Sequence, residues 1–208
     1  MSLDNDALAE FVDRQTVQYV RFFPVEVRKV WRAVTTSEYL NIWMHPVVHV
    51  EPKLGGRCSF TWGSPDDPTF RGTVAVFEPI TRVRYELISH QRIQFEMKPV
   101  EGGTHFTFTD HFGPDFRHDN DGAFEAKHGA QPAGPGTPWR AGFLAGFHLM
   151  FPSLTEILDD SWTEERVARE SKKQVDQVNA GQMAHGGGNW ERLVELYYDH
   201  IIATYPKA

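Results

Sequence analysis

The chain has 208 residues, a formal net charge of −7, 40% apolar and 13% aromatic residues, with 15 Phe and 6 Trp. That length fits one domain with some excess for an extension, and the apolar content is enough for a sizeable core. The acidic balance without any basic run excludes a nucleic-acid surface, and a single cysteine, Cys58, excludes an internal disulfide and suits a reducing compartment.

Met1 to Glu10 carries Asp4, Asp6 and Glu10 and lacks an apolar signal core, and no apolar run approaches membrane-spanning length. The reading is a soluble cytoplasmic protein with no membrane span. Asp4 to Asp13 predicts a short helix with Leu8, Phe11 and Val12 on one side. Val17, Tyr19, Val20, Phe22 and Phe23 read as a strand that Pro24 ends. Val27, Val30, Trp31 and Val34 fall at helical spacing, and Thr35-Thr36-Ser37-Glu38 caps a second short helix reaching Trp43. Gly55-Gly56 marks a turn, and Ser64 to Pro68 a polar hairpin loop.

Period-two alternation then dominates. Val83, Tyr85 and Leu87 alternate with Arg84 and Glu86; Ile93, Phe95 and Met97 with Gln94 and Glu96; Phe106, Phe108 and Phe112 with Thr107 and Thr109. This pattern predicts a sheet with one buried and one wet face. Strands are expected near Thr16–Phe23, Val47–Pro52, Arg57–Trp62, Phe70–Glu78, Arg82–Ser89, Arg92–Pro99 and Thr104–Phe112. Gly113 to Pro138 is rich in Gly, Pro, Asp and His and predicts a long mobile loop. Trp139 to Leu158 predicts a helix with Phe143, Phe147, Phe151, Leu154 and Leu158 along one stripe and a kink near Pro152. Trp162 to Val178 predicts a charged helix whose Glu164 to Lys173 stretch is a solvated face. Gly186-Gly187-Gly188 breaks the chain, and Asn189 caps a last helix carrying Trp190, Leu193, Val194, Tyr197 and Ile201 on one face.

A strand, two short helices, a run of hairpins and a long helix describe an α+β helix-grip fold. Its curved antiparallel sheet of about seven strands wraps around the long C-terminal helix. Residues 1–160 form that domain. Residues 161–208 form a helical extension that packs on the domain or on a second subunit, giving a homodimer, because its apolar stripe needs a partner.

Particular pieces carry a family resemblance. They are Arg21-Phe22-Phe23-Pro24-Val25-Glu26 followed by Val30-Trp31, then Ala33-Val34-Thr35 and Trp43, then Gly55-Gly56 with Phe60. Gly72-Thr73-Val74 running into Glu78-Pro79, then Tyr85, comes next, with Gly103-Thr104 before Phe106 and Phe108, and Gly146-Phe147 opening the long helix. In this order they resemble the START-like (polyketide cyclase/lipid-transport) superfamily, in the branch related to the activator of heat-shock-protein ATPase, from Thr16 to Leu158. The resemblance implies a sheet gripping a long helix with a cavity between them. It carries no catalytic motif, and its members range from lipid carriers and hormone receptors to aromatic cyclases and co-chaperones, so fold alone assigns no single function.

The candidate ligand-binding residues are those at inward parity. Phe60, Trp62, Val74, Tyr85, Phe95, Phe106, Phe108 and Asp110 line the sheet side, and Phe143, Phe147 and Phe151 face them from the helix. Mostly apolar walls with few polar groups describe a pocket for a small apolar or amphipathic ligand, aromatic or acyl. Asp110 and Tyr85 would orient its polar end, and a buried Asp110 could serve as a base. Cys58 reads as a buried inert thiol because no basic neighbour is evident. His45 and His49 lie in a strand-like context, where four-residue spacing does not gather ligands, and His111, His118 and His128 lack regular spacing. With no HExxH or Cys-His cluster, no metal and no cofactor are assigned. His148 reads as a core or surface histidine. Two further readings stand beside the ligand carrier: a co-chaperone-like protein with a chaperone as partner, and a cyclase- or hydrolase-type enzyme using a cavity carboxylate.

Overall fold

The computed structural model describes residues 6–13, 15–44, 47–61, 69–88, 90–113, 139–180 and 189–204. The chain opens with a two-residue strand β1 (Glu10–Phe11), then β2 (Thr16–Phe23). Two short helices follow, α1 (Val27–Thr35) and α2 (Ser37–Trp43). Next come β3 (Val47–Val50), β4 (Arg57–Thr61), β5 (Thr69–Glu78), β6 (Arg82–Leu87), β7 (Arg92–Val100) and β8 (Gly103–His111). The long helix α3 (Trp139–Ile157), α4 (Glu164–Asn179) and α5 (Asn189–Thr204) close the described chain. The eight strands make one antiparallel sheet in the order β1-β2-β8-β7-β6-β5-β4-β3. The last strand therefore returns beside the second, with Tyr19 opposite Phe108.

The helix expected over Asp4 to Asp13 is not present among residues 6–13. Glu10 and Phe11 pair instead with Gln18 and Val17, so the sheet has eight strands rather than about seven. The cause is local. The Asp13 carboxylate accepts the Gln15 N–H at 2.7 Å and the Thr16 hydroxyl at 3.0 Å, and the Val12 N–H bonds the Thr16 carbonyl. That side-chain-closed turn reverses the chain and lays it along β2. Pro24 precedes α1 by a bend, and its N-cap is Glu26. Gly146-Phe147 lies in the middle of α3 rather than at its start.

The inward face of the sheet is shared by two sets of helices. At one end α1 and α2 cover it. Trp31 packs edge-on against Phe77 at 5.2 Å, and Trp43 against Phe95 at 5.8 Å. A bulge between Val74 and Val76 shifts the β5 register and sets Phe77 opposite Val83, the face Trp31 meets. Trp31 is half-buried there, not part of the deep core. At the other end α3 lies over β2 and β8, and α5 runs along α3, bringing the Trp190 ring to 3.4 Å from where a Cβ on Gly142 would sit. α4 packs on α2 through Val167 and Ser171, and its charged residues face outward, where Lys172 pairs with Asp176. Thr163 caps α4 by accepting the Arg166 N–H.

Candidate functional site

Alternation places the candidate residues. In β2, Val17, Tyr19, Arg21 and Phe23 are buried; in β7, Ile93, Phe95 and Met97; in β8, Phe106, Phe108 and Asp110. Trp62 lies outside the described residues, as do His45, His118 and His128 and most of the Gly113 to Pro138 stretch.

The inward candidates separate into two groups joined at Phe95. Under α1 and α2 lie Phe60, Val74 and Tyr85, with Phe60 and Tyr85 in edge contact at 5.5 Å and Val74 opposite Tyr85. Under α3 lie Phe106 and Phe108. Phe147 meets Phe108 at 4.9 Å, Phe151 meets Phe106 at 6.4 Å, and Phe143 meets Phe147 at 5.6 Å. Phe95 stacks on both Phe106 and Phe108, at 5.8 and 5.3 Å. Such offset and edge-on pairs each contribute about 0.5–1.5 kcal/mol beyond area burial.

Tyr85 does not have a free polar tip. Its hydroxyl donates to the Val34 carbonyl of α1 at 2.7 Å, and burial pushes its pKa upward. The bond ties β6 to α1 and spends the hydroxyl's one proton, leaving Tyr85 to face the layer as an acceptor. Asp110 does sit on the inward face, fully buried, opposite Val17 and Ile93. Its Oδ1 accepts from the Gln91 side-chain amide at 2.9 Å, and Gln91 is itself 1% exposed. Buried polar groups are costly unless bonded, and this bonded pair forms one polar end of a mostly aromatic layer. Phe112 and Phe143, in edge contact at 5.7 Å, flank the same end of β8. His111, at the opposite parity, faces outward and lies 2.9 Å from the Thr16 hydroxyl.

Three further buried polar groups escaped the sequence reading. Gln91 lies between strands. The Tyr19 hydroxyl donates to the Leu144 carbonyl of α3 at 2.8 Å; its pKa is raised by burial first, then by Tyr197, with Asp110 adding to the rise. Arg21 points inward from β2, 1% exposed, with its guanidinium 4.6 Å from the Phe151 ring centroid. Strict alternation was the one signal that could have found Tyr19 and Arg21, since both share parity with Val17 and Phe23.

Burial pushes the Cys58 thiol up to about 12, which leaves it un-ionised at neutral pH. Among the described residues no group of three or more His, Cys, Asp or Glu side chains is placed to hold a metal ion, and no helix is long and apolar enough to cross a membrane. An open groove of about 450 Å³ lies on the outer face of the sheet. Arg82, Lys98 and His105 line it together with Glu78 and Glu96, and Arg82 is already paired to Glu78 at 2.6 Å. Charges of both signs leave it selecting no ligand class.

The eight-stranded antiparallel sheet, its covering helices and the aromatic layer between them define a helix-grip protein of the START-like superfamily. The family described as activator of Hsp90 ATPase homolog 1-like protein matches residues 24–133, and the chain belongs to it. No curated protein matches the chain. Among solved structures, the chain is similar to a Rhodobacter sphaeroides protein at 18% identity and TM-score 0.51, covering 72% of this chain and 95% of that one. A Mesorhizobium loti protein is similar at 20% identity and TM-score 0.51, covering 70% and 97%. An Enterococcus faecalis conserved protein of unknown function is similar at 13% identity and TM-score 0.54, covering 82% and 92%. These likenesses show the fold.

Proposed function

We propose that the chain binds a small apolar or amphipathic ligand, aromatic or acyl, between the sheet and α3. The observation that carries this reading is the buried Gln91–Asp110 pair at the end of an aromatic layer. A layer needed only for packing gains nothing from a carboxylate, because desolvating it is unfavourable. A ligand with a hydrogen-bond-donating head and an apolar body matches the arrangement, its head toward Asp110 and its body against Phe108, Phe143 and Phe147. The test is titration of a fluorescent apolar probe into wild type, Phe108→Trp and Asp110→Asn. Weaker probe binding in Phe108→Trp, with the fold intact by circular dichroism, supports the pocket. Equal affinity in all three removes it.

A second reading is a co-chaperone-like protein that acts through its surface on a chaperone ATPase, as the family description names. Two observations favour it: the family match, and the direct ring-to-ring contact of Phe95, Phe106, Phe108, Phe147 and Phe151. Its test is the ATPase rate of a purified Hsp90-type chaperone with and without the chain.

A further inference from the structure

The first and last described segments of the chain meet at a buried polar junction. The Tyr197 hydroxyl of α5 accepts the Ala9 N–H at 3.0 Å and lies 3.0 Å from His148 Nδ1 of α3. One residue turn further along α5, His200 Nε2 donates to the Ala9 carbonyl at 3.0 Å. From β2, Arg21 donates through Nη2 to the Ala7 carbonyl and through Nη1 to the Val20 carbonyl, both at 2.9 Å. The Phe11 ring lies 5.2 Å from the His200 ring. The segment carrying β1 is thus held from below by β2 and from the side by α5, and α5 is tied to α3 through Tyr197 and His148.

Proton placement decides whether this junction closes. Tyr197 is fully buried and its oxygen is used as an acceptor by Ala9. In the tautomer protonated at Nε2, His148 Nδ1 accepts the Tyr197 proton, and the Tyr19 oxygen is the other group in reach of that hydroxyl. The neighbouring Tyr19 hydroxyl spends its proton on Leu144. We propose that protonation of His148 is an acid-operated release of this junction, freeing residues 6–13 and α5 together while the sheet stays folded. A proton on Nδ1 removes the acceptor that Tyr197 uses in that tautomer and sets an imidazolium facing the Arg21 guanidinium.

The groups facing His148 among the described residues are Tyr19 and Arg21 from β2, Tyr197 from α5 and Asp6 from the N-terminal segment. Burial first, then Arg21, holds the His148 pKa below its ordinary value, and Asp6 offsets part of that. The sign follows from linkage. A histidine whose pKa is depressed in the closed state binds fewer protons there than in the open state. The closed state is therefore fully favoured above the open-state value of about 6.5 and loses stability as pH falls below it. His200 serves as the control, because its Nε2–H donates to the Ala9 carbonyl and it makes no contact with the Tyr197 hydroxyl in this network.

The experiment is backbone hydrogen exchange, corrected for intrinsic rate, at about pH 7.5 and about pH 5.5, bracketing the histidine range. Wild type, His148→Gln and His200→Gln are compared. Glutamine keeps an acceptor for Tyr197 and cannot become charged. Wild type should lose about tenfold protection over residues 9–11 and 194–201 at the lower pH, with residues 106–110 unchanged. His148→Gln should hold its protection at both, and His200→Gln should respond as wild type does. An acid response that survives in His148→Gln, or vanishes in His200→Gln, overturns the proposal. If His148→Gln does not fold, the His148 ring titration in wild type by NMR replaces it. The loss of protection must then set in near the open-state value of about 6.5 and level off at the ring's own midpoint in the native protein; a loss that continues more than about one pH unit below that midpoint also overturns the proposal.

Discussion

The side-chain carbonyl of Asn41 accepts the N–H of Val48 at 2.6 Å, and this bond closes one outer edge of the sheet. β3 is the terminal strand, so alternate N–H groups point away from β4 with no strand to receive them. Asn41 takes the one at Val48, and the Ser37 hydroxyl takes the one at Val50, at 2.9 Å. Both come from α2, which is also tied to α4 by the Asn41 amide donating to Ser171 at 3.2 Å. Open edges template association between chains, and here a helix side rather than a strand blocks one. At the opposite side of the sheet, Arg21 takes the Val20 carbonyl in a comparable way.

Asn41→Ala should therefore do two things. It leaves the buried Val48 N–H and Ser171 hydroxyl without Asn41, which lowers stability by about 1–3 kcal/mol in urea unfolding. It also opens the β3 edge, so light scattering should rise earlier on heating. Stability within about 0.5 kcal/mol of wild type would mean that α4 closes over the gap, outside the usual effect of a lost buried bond.

Two glycines separate by what surrounds them. A Cβ on Gly72 would lie 2.0 Å from the Glu86 backbone oxygen, so Gly72→Ala must push β5 away from β6. The expected loss is about 1–3 kcal/mol or more by thermal unfolding. A Cβ on Gly146 meets nothing within 4 Å, and the residue is in the middle of α3. Gly146→Ala should raise stability by roughly 0.5–1 kcal/mol through helix propensity and unfolded-chain entropy. A destabilising Gly146→Ala would contradict the open space around that position.

Cys58 offers a pH-dependent reading of β4. Burial raises its thiol to about 12, so almost no thiolate exists near neutral pH and the sulfur is shielded. Labelling by a thiol reagent at about pH 8 should proceed only through opening, and should accelerate sharply in denaturant. Labelling at the rate of a free thiol in the native protein would show that β4 is open.

Removing α5 by truncation before Gly186 should lower the melting temperature or change the mass in solution. Val194, Tyr197 and Ile201 are buried in the intact chain, and each large apolar side chain contributes about 1.5–3 kcal/mol when fully covered. Truncation also uncovers the Ala9 attachment. Unchanged melting and unchanged mass would show that α5 adds nothing to the domain.

The parts of the fold with a repeating signal were legible in the sequence. Alternation at Val83, Tyr85 and Leu87 and at Phe106, Phe108 and Asp110 predicts the inward face, and all six are buried. Helical spacing from Phe143 to Phe151 predicts α3. What was not legible depends on distant partners. Ala9, just before β1, is held by Tyr197, 188 residues away, and β1 itself is set by a turn that the Asp13 side chain closes. Arg21 shares the inward parity of Val17 and Phe23, but its partner, the Ala7 carbonyl, lies 14 residues away. Periodicity shows that Trp31 and Trp43 belong to apolar faces but not that α1 and α2 occupy half of the concave face. That sharing decides which candidates can meet α3.

Tyr85 and Asp110 were expected to do one job, and their hydrogen-bond partners differ. Both flank Ile93, Tyr85 from β6 and Asp110 from β8, but the Tyr85 hydroxyl is bonded to Val34 across the β6–α1 contact, whereas Asp110 is bonded to Gln91. Tyr85→Phe keeps the ring against Phe60 and Phe95 and removes one buried hydrogen bond, leaving the Val34 carbonyl without that donor. It should cost about 1–2 kcal/mol in unfolding free energy and leave affinity for an apolar probe unchanged. Asp110→Asn is nearly isosteric and retains an oxygen to accept from Gln91, so stability should shift by less than about 1 kcal/mol. Its effect falls on the head group: ligands bearing a cation or a hydrogen-bond donor should lose affinity relative to uncharged acceptors. Both variants are measured with a matched pair of probes, one amine-headed and one ester-headed on the same apolar body. A head-group preference that changes in Tyr85→Phe but not in Asp110→Asn would reverse the assignment and move the polar end of the site to β6.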